Sequence, residues 1–200
     1  LPLPPHQPSG YGGTAHVSVP APSQVRLVTD PLPDALWHVS EDPSIDVFVP
    51  HHRPEHANDE PLVYAVDTWH MPLYWFPRDC PRAAWWARDD TTDEDVDDWL
   101  DGDRTRRVSA IESSWLDRMR TVRLFAYRLP EETFEPWDKF FVSRDTVAPL
   151  DLVELGDLLG RHVDAGIELR VVPVLYPLWD RVIRTTLEYS GIRLRNAVHP

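Results

Sequence analysis

The chain has 200 residues, 42% of them apolar and nine of them Trp, which is enough for a sizeable core in one domain with or without a tail. Its 33 acidic and 20 basic residues leave a formal charge of -13, which repels a polyphosphate backbone and disfavours nucleic acid as a partner. One Cys excludes a disulfide scaffold, and without a secretory signal or an apolar run near the about 20 residues of a membrane span we expect a cytoplasmic protein without membrane contact.

The first 33 residues are rich in Pro, Gly and Ser, a composition that buries too little apolar surface to offset the entropy lost on ordering. We therefore predict a flexible Pro-rich arm over residues 1–33, followed by one globular domain over residues 34–200. Within the arm, residues 25–28 would suit an edge strand, which Pro31 and Pro33 soon interrupt.

The first half of the predicted domain begins with two strands. We predict one over residues 35–40 and a second, buried one over residues 62–66, where apolar, β-branched and aromatic side chains are concentrated. Asp67 follows the second strand and would cap a short helix that runs to Tyr74, before Pro77 ends it.

Two further segments differ sharply in composition. Residues 83–87 are predicted to form a strand whose Trp rings fill the core, whereas nine carboxylates between residues 89 and 103 indicate a solvated loop. Ser109 and Glu112 have the spacing of a capping box, which predicts a helix that begins at Ser109.

The remaining elements alternate between strands and helices. Strands are predicted over residues 122–129, 140–142 and 167–174, and helices over residues 149–165 and 177–189, with Gly166 just after the first of these helices. Because no regular βαβ repeat is present, we predict a single mixed α+β domain with a central, largely antiparallel sheet.

Residues 61–82 combine aromatic and ionisable side chains more densely than any other stretch. Asp67 and His70 lie three residues apart, which suits an acid/base pair as well as it suits a helix cap beside an exposed histidine. Arg78 and Arg82 are candidate ligands for an anion because guanidinium groups match phosphate oxygens, although an ion pair with the neighbouring acidic residue explains them equally.

Histidines mark two other candidate sites. His38 and Ser40 share one face of the first predicted strand, where they would hold a ribose or a phosphate, or where His38 would be a buried ring bonded to backbone. His51 and His56 belong to a group of three histidines in six residues. Their spacing fits no regular metal motif, so we favour a solvated loop and predict no metal ligand.

Four segments together resemble one protein family. These segments are residues 36–43, 63–67, 77–82 and 192–197, and their combined pattern is similar to that of DUF6886, an uncharacterised bacterial domain family. The resemblance covers residues 36–197 and brings no established activity. No phosphate-binding glycine loop, nucleophile elbow or HExxH pattern is present in the sequence.

A second resemblance is to the ADP-ribosyltransferase-like fold. His38 and Ser40 match its first motif, and the strand with Tyr64 that leads into a short helix matches its second. An acidic residue opens a strand in its third motif, and Asp138 stands there, where many of these transferases have Glu. The resemblance implies NAD or a related nucleotide as ligand and an ADP-ribosyl transferase or hydrolase as activity.

In that fold, each candidate has a role that the resemblance implies. His38 and Ser40 would hold the ribose, and Tyr64 would stack on the base or the nicotinamide. The phosphates would meet Arg78 and Arg82. The remaining candidates are two carboxylates, Asp138 as a catalytic group beside His38 and Asp67 as a ligand-binding group.

Two other functional hypotheses stay open at this stage. One is a non-enzymatic protein-interaction module that uses the Pro-rich arm or the acidic segment. The other is a metal hydrolase that uses His51, His56 and the acidic segment. The sequence leaves the oligomeric state open.

Overall fold

The computed structural model describes residues 25–28, 31–52 and 60–199, so most of the predicted arm and the candidate ligand His56 lie outside the described residues. The described strands are β1 (Arg26–Leu27), β2 (Leu36–Ser40), β3 (Val63–Asp67), β4 (Arg82–Trp86), β5 (Arg107–Glu112), β6 (Phe125–Leu129), β7 (Glu135–Trp137), β8 (Phe140–Ser143), β9 (Asp151–Glu154), β10 (Ile167–Val172) and β11 (Glu188–Ile192). The helices are α1 (Asp93–Leu100), α2 (Leu116–Thr121), α3 (Leu158–Asp164) and α4 (Tyr176–Val182), with short 3₁₀ helices at Met71–Tyr74, Ser113–Trp115 and Leu194–Asn196.

The strands form two sheets. The first has seven strands in the order β1-β9-β6-β2-β3-β8-β7, and the second has four in the order β10-β5-β4-β11. The pairs β1/β9 and β10/β5 are parallel, and the other neighbouring pairs are antiparallel. The predicted α+β class is confirmed, but the described chain has two sheets where we predicted one central sheet.

The main core lies between the two sheets. Alternation along β2 points Trp37 into this core, where it joins Val66 of β3 and Ile111 and Ile167 of the second sheet. Leu36, on the other face of β2, joins a separate apolar cluster on the outer face of the first sheet. Because both faces of β2 and β3 are covered, these strands read as continuous apolar runs in the sequence.

The predicted solvated loop over residues 89–103 is wrong, because helix α1 lies within it. Thr92 accepts a hydrogen bond from the backbone N–H of Asp95, and three carboxylates occupy the first turn, where the helix dipole favours negative charge. Val96, Trp99 and Leu100 recur at helical spacing and are buried. The acidic residues therefore form the solvated face of an amphipathic helix.

The predicted helix start at Ser109 is also wrong. Ser109 and Glu112 lie in β5, a buried strand that pairs with both β4 and β10. The Glu112 carboxylate accepts hydrogen bonds from the backbone N–H groups of Leu175 and Val198 instead of closing a capping box. Pairing on both sides of the strand outweighs a local helix signal.

The two remaining predicted helices are both shorter than predicted. Residues 149–165 contain β9 before α3, and the helix is followed by Gly166, whose positive φ of 67° confirms the predicted helix stop. Residues 177–189 contain α4, which ends at Val182, and the start of β11. The strand β11 pairs with β4, and this pairing places Glu188 opposite Trp86.

Candidate functional site

The tip of the β7–β8 hairpin reaches from the edge of the first sheet to the edge of the second. Trp137 pairs with Phe140, which leaves Asp138 and Lys139 as a two-residue turn. Asp138 has a φ of 54°, a left-handed conformation that Asp tolerates better than most residues. The Lys139 ammonium group forms an ion pair with Glu188 of β11, so the hairpin tip is anchored to the second sheet.

A cleft of about 440 Å³ lies beneath this hairpin tip. Its floor and sides are contributed by the segment that follows β3, by the end of β4 and by β11. It is lined by Trp69, His70, Trp86, Ala87, Arg88, Asp89, Asp138, Lys139 and Glu188. Aromatic rings and groups of both charges therefore line one concave surface, which is more polar than most small-molecule sites.

Asp67 and His70 form a pair at the edge of the cleft. The strand β3 ends at Asp67, and a tight turn brings the backbone N–H of His70 to 2.7 Å from Asp67 Oδ1. The same oxygen lies 2.9 Å from His70 Nδ1, so one carboxylate fixes both the main chain and the imidazole ring. With Nδ1 held by Asp67, the proton on that nitrogen leaves Nε2 as the ring atom available for acid/base chemistry.

Ion pairs determine the charge on the second-sheet side of the cleft. Glu188 accepts from Lys139 and lies 3.7 Å from Arg88, and Arg88 also pairs with Asp90 at 3.1 Å. Both cations of the cleft are thus offset by carboxylates, while Asp89 and Asp138 add two further acidic groups that are exposed. The cleft suits hydroxyl groups and a cationic ring, and a phosphate must compete with Glu188 for its two cations.

His38 does not line the cleft. Its Nδ1 lies 3.1 Å from the carbonyl oxygen of Tyr64, and its ring packs against Phe48 at a centroid distance of 4.7 Å. Burial lowers the pKa of His38 and outweighs the opposing effect of the bond to Tyr64. The hydroxyl of Ser40 accepts from the backbone N–H of Asp42, and Ser40 does not line the cleft either.

Tyr64 connects His38 to the hairpin. Its ring stacks on Trp137 at a centroid distance of 6.1 Å and an angle of 30°, and it also lies 6.2 Å from the His51 ring. Trp137 directly precedes Asp138. Tyr64 is therefore linked to Asp138 through the Trp137 ring, but Tyr64 does not line the cleft.

The two candidate arginines have different environments. Arg78 is exposed, and it is its backbone N–H that donates to Glu41. Arg82 is 5% exposed, and its guanidinium donates to the carbonyl oxygens of Leu73 at 2.7 Å and Cys80 at 3.0 Å. Burial lowers the pKa of Arg82 to about 10, and its hydrogen bonds support the fold around β4.

Cys80 is fully buried, and burial raises the pKa of its thiol to about 12. A thiol with that pKa is almost entirely protonated at neutral pH, so it is a poor nucleophile. Cys80 is therefore a packing residue of the core.

Sequence reasoning missed most of the residues that the second sheet contributes to the wall of the cleft. Trp86, Arg88 and Glu188 come together only through the pairing of β4 with β11, and residues 177–189 were predicted to be helical. Lys139 was missed as the partner of Glu188. A signal was present for Trp69, because it lies between the two members of the Asp67–His70 pair.

Two exclusions apply to the described part of the chain. Across residues 25–28, 31–52 and 60–199, no group of three or more His, Cys, Asp or Glu side chains is placed to hold a metal ion, and the candidate His56 falls outside these ranges. The helices within the same ranges are too short or too polar to cross a membrane.

Comparison with known families matches residues 37–197 to the family model DUF6886, described as a family of unknown function. No curated protein and no solved structure matches the chain. The matched residues contain every lining residue of the cleft.

Proposed function

The chain belongs to the DUF6886 family, and because that membership brings no established activity, we propose its function from the cleft itself. The cleft binds NAD or a related nucleotide, and the protein transfers or hydrolyses the ADP-ribosyl group. The observation that carries this proposal is the Asp67–His70 pair. Asp67 Oδ1 lies 2.9 Å from His70 Nδ1 and holds the imidazole at the wall of a cleft that also contains Trp69 and Trp86.

His70 is the acid/base group of the proposed reaction. Asp67 fixes the ring, and Nε2 accepts the proton of a water molecule or of an acceptor hydroxyl. The resulting nucleophile attacks the anomeric carbon of the ribose, the bond from that carbon to the nicotinamide nitrogen breaks, and nicotinamide leaves as a neutral molecule. With water, the products are ADP-ribose, nicotinamide and one proton.

The other walls of the cleft supply binding. Trp69 is 46% exposed, so its ring offers a stacking surface for a base or a nicotinamide. Asp138 extends from the hairpin tip and accepts hydrogen bonds from ribose hydroxyls. Arg88 and Lys139 are the cations closest to a bound diphosphate, and they exchange part of their contact with Glu188 for phosphate oxygens.

This proposal changes the roles that the fold resemblance implied. The catalytic histidine becomes His70, because His38 is bonded to a backbone carbonyl and does not line the cleft. Tyr64 supports Trp137 and through it the position of Asp138. Arg82 receives no ligand in this proposal, since its guanidinium is buried and donates to the carbonyl oxygens of Leu73 and Cys80.

A binding and turnover experiment tests the proposal. NAD, ADP-ribose and nicotinamide are titrated into the purified protein, and a ligand at 100 times its Kd is expected to stabilise the fold by about 2.7 kcal/mol. Asp138→Asn is expected to weaken ADP-ribose binding, and His70→Gln to abolish nicotinamide release from NAD. Asp98→Asn, an exposed carboxylate on α1, is the matched control. A protein that melts cooperatively but binds none of these ligands contradicts the proposal.

The alternative function is a non-enzymatic interaction module. The observation that favours it is β7, an edge strand of the first sheet that is exposed along its whole length, with Trp137 41% exposed. Its middle residue, Pro136, has no backbone N–H with which to extend the sheet, so the exposed ring of Trp137 is the contact that a partner would use. Trp137→Ala would then abolish partner binding while the nucleotide titrations show no change in midpoint.

A further inference from the structure

A second cavity of about 570 Å³ lies beside the cleft and shares Trp69 with it. Its walls come from β1, the segment before β2, the 3₁₀ helix after β3, the start of β5 and the β9–α3 connection. Most of the wall is apolar, and its lining includes Val28, Leu32, Met71, Trp75, Leu155 and Arg107. We call it the Arg107 cavity. Its volume is within the range of cavities that hold small organic ligands.

Arg107 is the unusual group on this wall. Its guanidinium carbon lies 3.9 Å from the centroid of the Trp69 ring and 5.9 Å from that of Trp86. Among the described residues, no side chain or carbonyl forms a hydrogen bond or an ion pair with it. Burial lowers the pKa of Arg107 to about 10, and the charge of Asp67 only partly opposes this effect. Arg107 thus has five N–H donors in a half-buried position without a bonded acceptor.

Arg161, the second arginine of the cavity, differs from Arg107 because its guanidinium is hydrogen-bonded to backbone carbonyl oxygens. Arg161 donates through Nε to the carbonyl oxygen of Leu155 at 2.8 Å, and through Nη2 to the carbonyl oxygen of Val28. These bonds tie α3 to the β1 end of the first sheet. The donors of Arg161 therefore hold α3 against the first sheet, whereas the N–H donors of Arg107 have no bonded acceptor among the described residues.

The acidic lining residues do not neutralise Arg107. Asp157 accepts from the backbone N–H of Leu159 and caps α3, and the charge of Asp164 acts on Arg161. Asp34 is exposed and forms no hydrogen bond or ion pair with Arg107 in the described structure. The Arg107 guanidinium therefore keeps donors that no described side chain occupies, and a carboxylate ligand supplies the acceptor.

We propose that the Arg107 cavity binds a small apolar monocarboxylate, with its hydrocarbon part against Met71, Trp75 and Leu155 and its carboxylate on the Arg107 guanidinium. A single guanidinium matches the two oxygens of one carboxylate, and the apolar wall accommodates the rest of the molecule. This site is separate from the proposed nucleotide function and does not depend on it.

The test compares decanoate with decanol at pH 8, where the two probes differ in charge but have the same chain length. Each probe is titrated by calorimetry into the full protein. The wild-type protein is expected to bind decanoate at least about tenfold more tightly than decanol, because a charge-assisted bond to a desolvated arginine strengthens only the acid. Arg107→Met is expected to remove this preference while decanol binding stays unchanged.

Two variants serve as controls. Arg106→Met removes the neighbouring arginine, which is ion-paired with Asp101 and does not line the cavity, and it should keep the preference for decanoate. Ala165→Leu adds bulk to a lining position and should weaken both probes. Should Arg107→Met fail to fold, the wild-type comparison and Ala165→Leu still decide the question.

Three outcomes overturn the proposal. The first is a folded wild-type protein that binds neither probe, and the second is equal affinity for acid and alcohol. The third is an Arg106→Met variant that loses as much decanoate affinity as Arg107→Met, which would assign the effect to overall charge. The ADP-ribose titration is run on Ala165→Leu as well, a position that lines only this cavity, so that failure of the cleft and failure of this cavity are distinguished.

Discussion

Lys139 in the turn of the β7–β8 hairpin forms an ion pair with Glu188 in β11, and this contact joins the first sheet to the second across the cleft. Both side chains are about one quarter exposed, at 23% and 24%, so solvent screens the pair only in part. The hairpin belongs to the edge of its sheet, and β7 is exposed on its outer side. The position of Asp138 over the cleft therefore depends on this ion pair.

Lys139→Met should loosen the hairpin without unfolding the protein. A partly exposed ion pair contributes no more than about 1 kcal/mol, so the free energy of unfolding should change little. Amide hydrogen exchange in residues 135–143 should become faster, because the tip loses its anchor on β11. Arg144→Met, which removes ion pairs to Glu60 and Glu135 on the same hairpin, is the matched control and should leave the turn protected. Unchanged exchange in Lys139→Met would show that the pair does not hold the tip.

Asp67→Asn should separate binding from catalysis in the proposed reaction. The Asn oxygen still accepts from the backbone N–H of His70, so the turn is retained. The amide cannot hold a proton on His70 Nδ1 as a carboxylate does, and turnover of NAD should fall by about a hundredfold or more while ADP-ribose affinity stays within about twofold. Nitrogen NMR of the imidazole gives a readout independent of activity, since the Nδ1-protonated tautomer of His70 should lose population. A variant with an unchanged tautomer would remove the positioning role of Asp67.

Arg78 and Arg82 were equivalent candidates in the sequence, and they should respond oppositely to substitution. Arg82→Met leaves the carbonyl oxygens of Leu73 and Cys80 without their donors in the core, so it should cost about 3 kcal/mol of unfolding free energy. Arg78→Met removes an exposed side chain and keeps the hydrogen bond from the backbone N–H of residue 78 to Glu41. The unfolding free energy should therefore change by no more than about 0.5 kcal/mol. Urea denaturation measures both values, and similar losses in the two variants would contradict the assignment.

The sequence shows local patterns along the chain, but it does not show which of two similar arginines is buried. The strands β2, β3 and β4 were predicted because both of their faces carry apolar side chains, and the Asp67–His70 pair was predicted because its members are neighbours along the chain. Such local patterns are visible in a single sequence. Burial of Arg82 depends on residues that pack over it from elsewhere, which the sequence does not display.

The second-sheet wall was missed for the same physical reason. Glu188 reaches the cleft through its register with Trp86, and the apolar spacing after residue 177 imitates a longer helix. Gly191 lies within this strand, and a Cβ atom at that position would lie 2.6 Å from the Trp179 ring. Glycine inside a strand often marks such a close approach, but a glycine two residues after position 189 is equally typical of a helix end, so the sequence alone did not distinguish the two.

His162 should make the fold sensitive to mild acid. The imidazole is fully buried in α3, its Nδ1 bonds the carbonyl oxygen of Leu158 at 2.7 Å, and Nε2 has no hydrogen-bond partner in the described structure. Burial lowers the pKa of His162 to about 4, below the about 6.5 of an exposed histidine. Trp75 and Phe76 pack against the ring, and the charge of Arg107 also lowers this pKa.

The sign of the effect follows from which state binds the proton. Between pH 6.5 and pH 4 the unfolded chain protonates His162 while the folded protein keeps it neutral, so stability is full above pH 6.5 and is lost as the pH falls toward 4. The loss should approach about 1.4 kcal/mol per pH unit within this window, and His162→Gln should remove that part of the slope. His38, whose pKa is also lowered by burial, is present in both proteins and cancels in the comparison. Urea denaturation at pH 7.5, 6 and 5 measures the difference, and a gap between the two proteins that does not change with pH would mean that His162 is not held neutral by the fold.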